Sequence, residues 1–81
     1  MDKHRYSTLT DRQHERLVRE IERLQTVEGD GIARSDARCI ADMLRLMQTF
    51  GFVLPAERGA YLDYMQHCID ERKNKKEKAA V

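Results

Sequence analysis

Two interruptions, Gly29-Asp30-Gly31 and the stretch from Gly51 to Pro55, cut this 81-residue chain into three pieces of helical length. Glycine is favoured just past a helix end and proline in a first helical turn, so both breaks read as joints between helices. Within each piece apolar residues recur at spacings of three and four, the period of one helix face. Short joints make sequential helices neighbours. The expected fold class is therefore all-α: a small antiparallel three-helix bundle with helices over about 11–28, 33–50 and 55–75. One domain over 1–81 is expected, with residues 1–9 a flexible N-terminal arm and 76–81 a flexible charged tail.

The first piece opens with a capping box. Thr10 is the N-cap, Gln13 follows three residues later, and Asp11 lies in the first turn, where the helix dipole favours a carboxylate. Along one side run His14, Leu17, Ile21, Leu24 and Glu28. Along another run Arg12, Arg16, Arg19 and Arg23, which at ~100° per residue fall within roughly 60° of one another. The segment thus predicts an amphipathic helix with an apolar seam and an arginine ridge turned away from it.

The second piece carries the widest apolar face, from Cys39, Ile40, Met43 and Leu44 to Leu46, Met47 and Phe50. Ser35 or Asp30 is its expected cap. A face this broad suits a helix that touches two neighbours, and the surplus over what the first helix covers tilts the expectation toward a homodimer. The third piece offers Tyr61, Leu62, Met65, Cys68 and Ile69, and Gly59 in its early turns marks either close packing or a late start. Counting outward from the joints sets the levels. His14 should meet Met47 and Tyr61, Leu17 should meet Met43 and Met65, and Cys39 should approach Cys68. An Asp36–Arg72 ion pair is expected at the far end.

Composition excludes several function classes. Charged residues make up 36% of the chain, yet the net charge is only +1, unlike a dedicated polyanion binder. No apolar run approaches the ~20 residues of a membrane span, and the polar start is unlike a signal peptide. Two isolated cysteines, Cys39 and Cys68, read as reduced core residues of a cytoplasmic protein. A glycine-rich phosphate loop, a zinc-protease motif and a nucleophile elbow are all absent from the sequence, so an enzyme is not expected. No cofactor and no metal are expected either. Asp63 and His67 point away from Cys68 on a helix, so these three do not converge as zinc ligands.

The arginine ridge is the leading candidate site. The same helix holds five carboxylates to four arginines, and Glu15 precedes Arg19 by the favourable four residues. An internally paired, solvated face is the foremost expectation for the ridge, protein docking the next and nucleic acid the last. Tyr64 and His67 on the third helix join Arg12, Arg16, Arg19 and Arg23 as candidate partner-binding residues. The function these features point to is a small helical protein–protein interaction module that binds stoichiometrically, as an adaptor, subunit or inhibitor of a larger machine. Its expected partner is another protein with an acidic patch, and self-association remains open. The alternative is a nucleic-acid-binding regulator that uses the ridge and the lysines after Arg72, although no helix-turn-helix stands out. No membrane partner is expected.

Overall fold

The computed structural model describes residues 9–79, with side chains up to Glu77. Expectations for residues 1–8, Tyr6 among them, and for residues 80–81 lie outside the described residues. The chain is all-α: helix α1 (Asp11–Glu22), a 3-10 turn (Arg23–Gln25), helix α2 (Asp30–Thr49) and helix α3 (Pro55–Ala79). Among the described residues there is no strand, and no helix is long and apolar enough to cross a membrane.

The first helix starts as its sequence predicts. The Gln13 backbone N–H donates to Thr10 Oγ1 at 3.1 Å, and the Thr10 N–H donates to Gln13 Oε1 at 2.9 Å, completing the capping box. It ends earlier than expected, at Glu22 rather than near Glu28, and tightens into the 3-10 turn. Thr26 and Val27 are β-branched and poor helix formers. The carbonyls released there find a side-chain donor: Arg72 Nη1 donates to Leu24 O at 3.1 Å and to Val27 O at 2.5 Å. A guanidinium thus replaces the missing helical turn.

Helix α2 begins at Asp30, earlier than predicted, with Gly29 as its N-cap at φ 91° and no side-chain cap from Ser35 or Asp30. Its end matches expectation. Gly51 takes φ 81°, the Phe52 N–H donates to Met47 O at 2.8 Å and the Gly51 N–H to Gln48 O at 3.1 Å. That pair of bonds is a Schellman motif. Pro55 opens α3, and the Leu54 N–H donates to Glu57 Oε1 at 2.9 Å, so the third residue of the helix caps its start. The helix runs on to Ala79, beyond the expected fade near Lys75.

The core gathers Leu9, Leu17, Ile21, Leu24, Ala37, Ile40, Leu44, Val53, Tyr61, Met65 and Cys68, with Val18, Ala41, Met47, Leu62, Tyr64 and Ile69 packed partly against it. Leu9, assigned by sequence to the arm, is part of this core. Side-chain hydrogen bonds between separate segments fix the levels: His14 to Tyr61, Gln25 to Cys68 and Gln48 to Arg58.

Several expectations for α2 are corrected. Ile40 and Leu44 are buried and Met47 partly so, but Cys39, Met43, Leu46 and Phe50 are exposed. The apolar arc is wider than its neighbours cover, and its buried part centres on Ala33, Ala37, Ile40 and Leu44, spaced four, three and four. Cys39 therefore does not join Cys68 in the core. The Asp36–Arg72 pair is also not formed. Arg72 Nε instead donates to Asp30 Oδ1 at 3.3 Å, and Lys76 Nζ donates to Asp30 Oδ2. With α2 starting at Asp30, that exposed carboxylate lies on the side of the helix that faces α3, in line with Ala33 and Ala37, whereas Asp36 shares the outer face with Cys39 and Met43.

Candidate functional site

The capping box at Thr10 sets the rotation of α1 and turns His14, Leu17 and Ile21 inward. The opposite side is left to Arg12, Arg16, Arg19 and Arg23, all exposed. Arg12, Arg16 and Arg19 border a shallow hollow with Glu15 and Glu20. Pairing within this face is sparse. Arg23 Nη1 donates to Glu20 Oε2 at 3.3 Å, between two exposed side chains. The favourable Glu15–Arg19 pair is not formed, and among the described residues Arg12, Arg16 and Arg19 enter no ion pair. Three guanidiniums, each with a flat fork of donors, thus stand side by side on water.

Tyr64 and His67 form a separate patch. Their rings stack with centroids 6.2 Å apart and planes 18° from parallel. His67 is exposed, while Tyr64 is half-buried against α1. Burial, then the negative charge of Glu22 and the nearby Cys68, pushes the Tyr64 phenol above its ordinary pKa. Glu22 lies roughly 80° around α1 from the arginine face, so the structure does not merge the two candidate sets into one surface.

Beneath the surface, His14 Nδ1 and the Tyr61 hydroxyl share a 2.6 Å hydrogen bond, the satisfied histidine that the apolar seam predicts. Burial foremost, and the Glu57 carboxylate one helical turn earlier, push the Tyr61 phenol up. Glu57 is itself buried, with Oε1 on the Leu54 N–H and Oε2 without a hydrogen-bond partner among the described residues. Sequence reasoning missed this carboxylate. Its signal was the position three residues after Leu54, where a glutamate reaches back to cap a helix that opens with proline. Among the described residues no group of three potential metal ligands converges.

Two surface features were also missed. A cleft of about 300 Å3 between α2 and α3 has a floor of Ala33, Ala37 and Ile69 under a rim that includes Arg34, Lys73 and the Asp30–Arg72–Lys76 cluster. Its rim cations are partly neutralised, because Asp30 binds two of them and is held below its ordinary pKa by the Lys76 hydrogen bond first and Arg72 second. Larger is the outer face of α2, where Ile32, Cys39, Met43, Leu46 and Phe50 lie exposed in one stripe. The seven-residue spacing of Ile32, Cys39 and Leu46, and again of Met43 and Phe50, was the available signal.

Comparison with protein-family models, with curated proteins and with solved structures finds no match to this chain.

Proposed function

We propose that the chain is a helical protein–protein interaction module that acts by stoichiometric binding, as an adaptor, subunit or inhibitor of a larger assembly. It works in the cytoplasm, as an up-down-up antiparallel bundle whose α1 face docks an acidic patch on another protein. The observation that carries this reading is the row Arg12, Arg16 and Arg19, exposed and, among the described residues, free of ion pairs on a helix rich in carboxylates. An unpaired guanidinium gains a charge-assisted, two-pronged bond on meeting a carboxylate, and three in a row give such a contact both strength and register. Tyr64 and His67 form a second, smaller contact patch on α3.

The same arginines suit phosphates, so nucleic acid is the competing partner. The interleaved Glu15 and Glu20 favour protein, because they repel a continuous phosphate backbone and accept from a partner's cations. Anisotropy of a fluorescent non-specific DNA duplex, at ~50 and ~200 mM salt, tests the choice. The reading expects no binding at either salt. Binding at ~50 mM that collapses at ~200 mM would overturn it and assign the face to phosphates.

A further inference from the structure

We infer that the exposed stripe of α2 is seated against the same stripe of a second copy, running antiparallel. The inference deepens the reading of the chain as an interaction module by naming one occupant for a surface that shares only Arg16 with the arginine face.

Area is the first argument. Ile32, Met43, Leu46 and Phe50 are 57%, 41%, 51% and 72% exposed, and Phe52 and Leu54 in the following joint are 52% and 37% exposed. Together these side chains expose on the order of 600 Å2, of which Met43, Leu46 and Phe50, the three level with the second α2, give on the order of 350 Å2. A strip of this size suits a weak, concentration-dependent pairing at the low end of interface areas.

Shape is the second. Beside the stripe is an apolar hollow of about 210 Å3 lined by Leu9, Gln13, Arg16, Leu17, Met43 and Met47. The hollow extends the apolar surface of the stripe on its Met43–Met47 edge, which a perpendicular two-fold axis sets against the same edge of the second copy. An axis midway between Met43 and Leu46 places the second copy's Leu46 level with Met43 and its Phe50 level with Cys39.

Charge sets the direction. Asp36 falls on the stripe, so a parallel pair would press it against its own copy, whereas the antiparallel register carries it past the end of the second α2. The polar edge bears Arg38, Asp42 and Arg45. In the antiparallel register Asp42 comes beside the second copy's Arg45, twice by symmetry, and the helix dipoles oppose.

Sedimentation equilibrium of the full chain from about 1 µM to about 1 mM reads the outcome. The expected mass rises with concentration toward twice the 9.5 kDa of one chain. Leu46→Asp should hold it at one chain with the helical circular dichroism unchanged, raising the dissociation constant at least ~30-fold. Phe50→Ser serves the same purpose if Leu46→Asp fails to fold. Arg12→Glu with Arg19→Glu should still dimerise, so loss of the docking reading and loss of the dimer are separable. A wild-type chain that stays monomeric throughout, or a folded Leu46→Asp chain that dimerises like wild type, would overturn the inference. Mild oxidation tests the direction. The two Cys39 thiols lie roughly 16 Å apart along the antiparallel pair, so wild type should not cross-link, whereas Met43→Cys in a Cys39→Ser background, with its two thiols roughly 5 Å apart along the pair, should. Rapid disulfide formation through Cys39 would overturn the antiparallel seating.

Discussion

His14 on α1 and Tyr61 on α3, 47 residues apart, share a 2.6 Å hydrogen bond inside the core, and it ties the first and last helices at one level. Neither side chain has water to fall back on, since His14 is 8% and Tyr61 1% exposed. Tyr61→Phe keeps the ring and removes the hydroxyl from this buried bond, which should cost about 1–2 kcal/mol. Urea unfolding followed by circular dichroism checks this, and an unmoved midpoint would show that the bond contributes nothing net.

Stability should fall at both ends of the pH scale. Asp30 has a folded pKa below its unfolded one, so its contribution is present above about 4 and lost as pH falls through the folded value. Tyr61 and Tyr64 have raised phenols, so the unfolded chain loses its protons first. Their contribution is whole below about 10 and lost as pH rises from there through the folded values. Thermal melts across pH should show Asp30→Asn flattening the acid limb and Tyr61→Phe the alkaline one. Limbs that stay as steep in the variants would contradict these assignments.

Gly59 lies within α3, and a Cβ added there would meet nothing within 4 Å. Gly59→Ala should therefore stabilise the chain by about 0.5–1 kcal/mol through helix propensity and a stiffer unfolded chain. A lower melting temperature would mean that this turn needs glycine for a reason other than space.

Leu17 and Leu46 separate the buried seam from the outer stripe. Leu17 is 5% exposed, and Leu17→Ala should cost about 2–4 kcal/mol. Leu46 is 51% exposed, so in dilute solution Leu46→Ala should change chain stability by less than about 0.5 kcal/mol. Equal losses in chemical denaturation would place Leu46 in the core.

Local chemistry was the part most legible in the sequence. Thr10 with Gln13, Gly51 after Phe50 and Pro55 at the start of α3 each act through a neighbour a few residues away, and each is where the sequence puts it. The His14–Tyr61 bond was legible because both residues lie on an apolar face, level with each other. The far end was not. The early stop of α1 depends on Arg72, nearly fifty residues away, reaching the carbonyls of Leu24 and Val27. Hydrophobicity also misled on α2: Ala33 and Ala37 are buried while Met43, Leu46 and Phe50 are exposed, because helix rotation follows where small residues admit a neighbour. The arginine row was plain in the sequence. That Arg19 leaves Glu15 unpaired was not, since spacing permits that pair without requiring it.

Affinity capture with the full chain as bait, from lysate of cells that encode it with and without nuclease treatment, tests the central claim most directly. Arg12→Glu with Arg19→Glu serves as the paired bait. The account predicts one protein retained in a saturable, near-equimolar complex by the wild type and lost from the folded double variant. Equal retention by both baits, or retention that disappears with nuclease, would contradict it.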